Sequence, residues 1–249
     1  MKKYKASSAG IFAGKKALVV GGTGGIGRAV ALGLAEMGAE LAIHGGSSRE
    51  RLDSALAVIR QNGGKADGFL HSIDGSGSAE KILAVSPEPD ILVCAWGPFQ
   101  QGALESLDWK FWQNMTLNNL AFPGALVSGV LPGMIRKNWG RILLFGGTNT
   151  DNIRGFTTTA AYSAAKTALS VVAKSAAKSA GGKGISCNVL CPGLTDTEYT
   201  DEALRRYNRE KSPGGQAMTP QQIARAALAV LENPCINGAV ISAENGVFL

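Results

Sequence analysis

The chain has 249 residues, 45% of them hydrophobic and 18% charged, which is enough for one large domain with a sizeable core. Its net charge of +6 suits an anionic ligand, but the 25 Lys and Arg are scattered and form no basic block interleaved with aromatics, which argues against nucleic acid. No apolar run reaches the ~20 residues of a membrane span, and residues 1–13 form a polar leader without the apolar stretch of a signal peptide.

Lys16-Ala17-Leu18-Val19-Val20 is apolar after its first residue and ends at glycines, as expected of a strand buried on both faces. Gly21-Gly22-Thr23-Gly24-Gly25-Ile26-Gly27 follows, and residues 28–37 read as an Ala/Leu-rich helix closed by Gly38. In a strand, glycine turn and helix, the backbone can approach a diphosphate while the helix N-terminus offers unpaired N–H groups. The glycines fall at 21, 25 and 27, a GxxxGxG spacing instead of GxGxxG. Further strands are expected at 40–43, 66–73, 90–95, 141–145, 185–190 and 239–242, and helices at 51–61 and 221–232. Residues 109–138 hold helical material broken near Pro123 and Pro132, and the Ala/Ser/Lys-rich run 159–180 favours helix. Strands alternating with helices, with no linker between them, predict one doubly wound, Rossmann-type α/β domain over 14–249. It would have about seven parallel strands flanked by helices. Cys94, Cys187, Cys191 and Cys235 lack metal-ligand spacing and read as the reduced, largely buried thiols of a cytoplasmic protein.

Tyr162 and Lys166 stand four residues apart on the 159–180 helix, so phenol and ammonium share one face. A phenol with a pKa of ~10 is a poor acid or base at neutral pH until a nearby cation favours its phenolate. Such a pair can exchange a proton with a carbonyl or alcohol oxygen. The plainer alternative is a solvated helix face.

Five features occur in order: the turn ending Gly25-Ile26-Gly27-Arg28, then Asp90-Ile91-Leu92-Val93, then Gly140-Arg141-Ile142. Next come Tyr162 with Lys166, and Asn188-Val189-Leu190-Cys191-Pro192-Gly193 with Thr197 four residues on. Together they resemble the short-chain dehydrogenase/reductase family from about Gly14 to the C-terminus. The resemblance implies that Tyr162 is the general acid/base and that Lys166 lowers its pKa and binds the nicotinamide ribose. It implies an asparagine holding a proton-relay water, and counting back from Leu131-Pro132-Gly133-Met134 favours Asn119, with Asn118 pointing elsewhere. It further implies cofactor contacts from Gly21, Thr23, Gly24, Gly25, Ile26 and Gly27, from Ala95, Trp96 and Gly97, and from Asp74 near the adenine. Pro192, Gly193, Thr195 and Thr197 match the segment that holds the nicotinamide carboxamide.

Three departures bear on the chemistry. The family's catalytic serine position falls on Gly147 in Phe145-Gly146-Gly147-Thr148-Asn149-Thr150, with about two extra residues before Tyr162. Thr148 is favoured over Asn149 or Thr150 to supply the missing hydroxyl; otherwise these are loop-capping groups and the donor is absent. The usual Asn-Asn-Ala-Gly is replaced by Cys94-Ala95-Trp96-Gly97, where Trp96 lines the cleft or fills the vacated volume. The 74–90 interval is short, so the helix crossing it must be trimmed.

The end of the second strand, His44-Gly45-Gly46, carries no carboxylate to accept from a ribose 2′-OH, and Ser47, Ser48 and Arg49 suit a phosphate. NADP(H) is therefore favoured over NAD(H), the alternative being that Ser48 caps the next helix and Arg49 is solvated. Residues 198–219 are polar and loop-like where the family places its substrate lid, and the charges over 201–211 read as a solvated helix face. The expectation is an NADP(H)-dependent enzyme interconverting a small-molecule carbonyl and alcohol, cytoplasmic, and by resemblance a homo-dimer or homo-tetramer. The rival reading is a nucleotide-binding protein of the same fold with impaired catalysis.

Overall fold

A computed structural model describes residues 10–247. Seven strands, β1 (Lys16–Val20), β2 (Glu40–Gly45), β3 (Lys65–Leu70), β4 (Ile91–Cys94), β5 (Gly140–Phe145), β6 (Ile185–Pro192) and β7 (Val240–Ala243), form one sheet in the order β3-β2-β1-β4-β5-β6-β7. Every neighbouring pair is parallel. Alternate residues of each central strand enter different cores, as the period of two requires. Ala17 and Val19 of β1 join Val30 and Leu34 of α1 (Gly25–Glu36), Leu52 and Ile59 of α2 (Arg49–Gln61), and Ile223 and Leu231 of α8 (Pro220–Glu232). Leu18 and Val20 join Ile82 of α3 (Ser78–Val85), Leu126 and Val130 of α5 (Phe122–Lys137), and Leu169 and Ala173 of α6 (Ala160–Ala180). Two apolar layers clamp the sheet, so its strands read as continuous hydrophobic runs. The strand order reverses between β1 and β4, and the crevice at their carboxyl ends is where such sheets take ligands.

The structure changes or sharpens the expectation at several points. The end of the leader packs on the domain: Phe12 is buried, donates its N–H to Met37 O at 2.9 Å and sets its ring edge-on to Trp139. Residues 1–9 lie outside the described residues. β3 stops at Leu70, not 73, and the trimmed crossover keeps the eight-residue α3. Neither proline breaks the helical stretch after α4 (Trp109–Thr116). A π turn, Leu117–Ala121, widens the helix just before Pro123, and Pro132 sits within α5 on its exposed side. Ser128, whose carbonyl Pro132 cannot bond, is on that same exposed side. The 198–219 stretch is not all loop, since Asp201 caps the helix α7 (Glu202–Lys211) by accepting from Leu204 N at 2.7 Å.

Candidate active site

The glycine turn leaves β1 with Gly21 at φ 78° and starts α1 at Gly25. The N–H groups of Gly21 and Gly22 bond His44 O, which ties the turn to the end of β2. What stands on the turn is part of the chain itself. Gly25 N donates to Glu198 Oε1 at 2.9 Å, and a methyl at Gly24 would overlap both Glu198 Oε1 and Tyr199 Oη. A carboxylate thus occupies the positive end of α1, where unpaired N–H groups favour an anion. Arg51 holds this strap from the other side, with its guanidinium 5.1 Å from the Tyr199 ring centre and Nη1 donating to Tyr199 Oη at 3.3 Å.

The acid/base end is built from four elements. Lys166, on α6, is almost fully buried and donates to Phe145 O at 2.9 Å and Trp96 O at 3.5 Å, with Nζ 5.8 Å from the centre of the Tyr162 ring. Asn119, fully buried on the π turn, donates from Nδ2 to Pro98 O at 3.1 Å and leaves Oδ1 without a partner. Gly97 makes this possible: a Cβ there would overlap Asn119 Oδ1 and stand 2.8 Å from Lys166 Nζ. Asn118, as expected, turns back onto Asn114. Burial moves both titrating groups of the pair. Lys166 is brought down to about 8, and the Tyr162 phenol is pushed up from its ordinary range, with the Cys191 thiol adding to the rise. Desolvation thus moves the phenol in the direction opposite to the lowering by Lys166 expected from the sequence.

The corner between β5 and α6 answers the serine question in part. The residue against Tyr162 is Gly147, whose added Cβ would lie 2.9 Å from the phenol oxygen. The Thr148 hydroxyl, favoured as the replacement donor, instead gives its one hydrogen to Pro192 O at 3.2 Å. Thr150 is buried and closes the turn, accepting from Gly147 N at 2.8 Å and donating to Gly147 O at 2.9 Å. Asn149 stands at the corner with φ 61°, lines the same cleft as Tyr162, and has a buried Oδ1 without a partner.

Beyond β6, Gly193 and Thr195 are fixed by a hydrogen bond from Thr195 Oγ1 to Gly193 O at 2.9 Å. Thr197 N donates to Thr200 Oγ1, also at 2.9 Å. Ile26, Pro192, Thr195 and Thr197 face the Tyr162 cleft together. Ala95 packs against Gly27 under the turn, while the Trp96 ring lies near Gly46 and edge-on to His44, with Nε1 buried and unpaired. Trp96 thus closes the gap between the ends of β2 and β4. The phosphate set proposed from sequence is dispersed: Ser47 is exposed, Ser48 Oγ caps α2 by accepting from Arg51 N, and Arg49 is exposed and pairs with Asp53. Asp74 accepts from Ser78 at the start of α3. The cations that do line the groove beside Thr23 and Gly25 are Arg28 and Arg51. Sequence reading missed Arg51, though a Ser48 cap makes it the third residue of the helix and turns it back toward the glycine turn. It also missed Glu198, whose signal was only its place directly after Thr197.

Residues 15–208 match the short chain dehydrogenase family. The chain belongs to that family. Among curated relatives, this short-chain dehydrogenase is 32% identical to the 3-oxoacyl-[acyl-carrier-protein] reductase FabG of Escherichia coli strain K12, over 96% of this chain and 99% of that one. It is 29% identical to the D-beta-hydroxybutyrate dehydrogenase of Cupriavidus necator, over 94% and 97%. Among solved structures it superposes on a 3-oxoacyl (acyl-carrier-protein) reductase of Agrobacterium tumefaciens C58 with NADP bound, with a TM-score of 0.87, 26% identity and 95% of each chain covered. These relatives are oxidoreductases, and they do not favour the reading of a binding protein with impaired catalysis. The protein is a short-chain dehydrogenase/reductase-family oxidoreductase of the kind that uses NAD(P).

Proposed function

We propose that this chain reduces a small-molecule carbonyl to an alcohol with NADPH, Tyr162 giving the proton. The observation that carries the reading is the convergence on Gly97 of Lys166 Nζ and the unpartnered Oδ1 of Asn119, behind the cleft that Tyr162 lines. That oxygen faces the same point as the Lys166 ammonium, where a water on a proton path would find an acceptor.

The residues fit a nicotinamide dinucleotide. The glycine turn at the head of α1 would take the diphosphate, Thr195 and Thr197 the carboxamide, and Lys166 the nicotinamide ribose. When bound, the cofactor supplies the hydride. The chain's own part is the proton. The Tyr162 phenol is protonated at neutral pH, the form that can donate to a substrate oxygen, and the Lys166 charge has to offset the desolvation that makes it a weaker acid. The phenolate left behind lies beside the Lys166 charge, and the Asn119 Oδ1 next to Lys166 offers an acceptor for a water that restores the proton. The substrate oxygen takes its second hydrogen bond from the corner over 147–150. Thr148 can serve only by leaving Pro192 O, whereas the Asn149 amide is already at the cleft.

NADP(H) is preferred because β2 ends without a carboxylate and Arg28 and Arg51 line the adjoining groove. Thermal unfolding with NADPH, with NADH and with neither tests this. Saturating NADPH is expected to stabilise the fold by about 2–3 kcal/mol at 100 times its Kd, and NADH by less at equal concentration. Stabilisation by neither would defeat the proposal.

A further inference from the structure

The cleft in front of Tyr162 has a volume of about 610 Å³, which includes the side at Ile26, Pro192, Thr195 and Thr197 given above to the nicotinamide, and no charged residue lines it among the described residues. Its remaining apolar walls are Phe99, Phe156, Leu194, Leu204 and Tyr207, with threonine hydroxyls and amide groups between them. Phe99 stands edge-on to Tyr162 with ring centres 5.0 Å apart, so the apolar wall reaches the reacting oxygen. Three of these side chains are left open for their type: Phe99 is 53% exposed, Leu204 44% and Tyr207 48%. Apolar surface held open around a catalytic group is surface that a ligand covers.

No cation is among the residues lining the cleft, and three that stand close to it are engaged. Lys166 is buried against Phe145 O and Trp96 O. Arg154 pairs with Asp151, and Arg205 pairs with Asp196 and Glu202 and donates to Thr200 O. A substrate carboxylate entering this cleft would lose water and meet no positive partner, which is strongly unfavourable.

Resting on the reductase reading above, we infer that the substrate is an uncharged carbonyl compound on an apolar skeleton, a keto ester or thioester in type, and that free keto acids are rejected. This divides the relatives chemically: an acyl group carried as a thioester has no charge beside its ketone, whereas hydroxybutyrate is a carboxylate at neutral pH.

The test compares ethyl 3-oxobutanoate with 3-oxobutanoate, the same skeleton with and without the charge, at pH 7 with NADPH. The ester is expected to have a kcat/KM roughly 100-fold higher. The variant Leu204→Arg, which puts a cation on the wall, is expected to narrow that ratio at least about tenfold while leaving the NADPH Kd unchanged. Equal turnover of the two, or a preference for the acid, overturns the inference. If neither is turned over, the reductase reading fails, and the melting temperature of the NADPH-containing protein decides for this one. Stabilisation by the ester alone upholds it, and any other pattern overturns it.

Discussion

Lys166 holds its charge in a place that works against it. Burial brings the ammonium down to about 8, so the folded protein loses that proton near the top of the physiological range. Carbonyl reduction needs the ammonium charged when the phenol gives up its proton, so kcat is expected to fall as pH rises through about 8. A flat profile to pH 10 (about the free phenol's value) would show that Lys166 does not support the phenolate. The corner over 147–150 gives a second test at this scale. With the Thr148 hydrogen directed to Pro192 O, Thr148→Val is expected to cost less than about fivefold in kcat and Asn149→Ala about 10- to 100-fold. The reverse order would restore Thr148 as the donor. The sequence placed Gly147 where the resemblance implies the serine, because strand β5 and Gly146-Gly147 set the count, and Gly147 does lie against Tyr162. It could not show where Thr148 points, since that depends on Pro192, 44 residues away.

At the scale of elements, the strap after β6 is the part least visible beforehand. Thr197 could be placed by its distance from Pro192-Gly193. That Glu198 and Tyr199 fold back on the glycine turn depends on a contact 173 residues apart in the chain. A carboxylate on the N–H of Gly25 competes with a diphosphate for the same end of α1. Glu198→Gln removes the charge, and NADPH is expected to bind about threefold to tenfold more tightly by fluorescence titration. Weaker or unchanged binding would mean that the strap and the cofactor do not compete. The helix after the strap was half legible: the charges over 201–211 were read as a helix face, while the Asp201 cap that starts it was not. The asparagine helix was misread at its prolines, because proline rules forecast a break and not the π turn just before one, nor the exposed helix side that carries the other.

Across the whole molecule, strand order and layers follow from alternating buried runs and glycine turns, which is why the fold was readable and only the strand ends moved. His44 links this architecture to stability. It is fully buried on β2, its Nε2 donates to His71 O at 2.8 Å, and Nδ1 is buried without a partner, so a second proton has no acceptor. Desolvation lowers its pKa below the ordinary 6.5. The unfolded chain therefore takes up a proton that the folded one refuses, and stability is full above about pH 6.5 and declines as pH falls below it. The midpoint of urea unfolding is expected to drop between pH 7.5 and 5.5 (about one unit either side of the free imidazole value). His44→Gln should flatten that drop, and an equal drop in the variant would place the effect elsewhere.

The proposed chemistry stands on Tyr162 giving the proton in an NADPH-dependent reduction. Single-turnover oxidation of bound NADPH by a neutral keto ester, in the wild-type protein and in Tyr162→Phe, tests it most directly. The variant is expected to bind NADPH with a Kd within about twofold of wild type and to react about 10²- to 10⁴-fold more slowly. A variant that keeps its rate within a few-fold would mean that another group gives the proton.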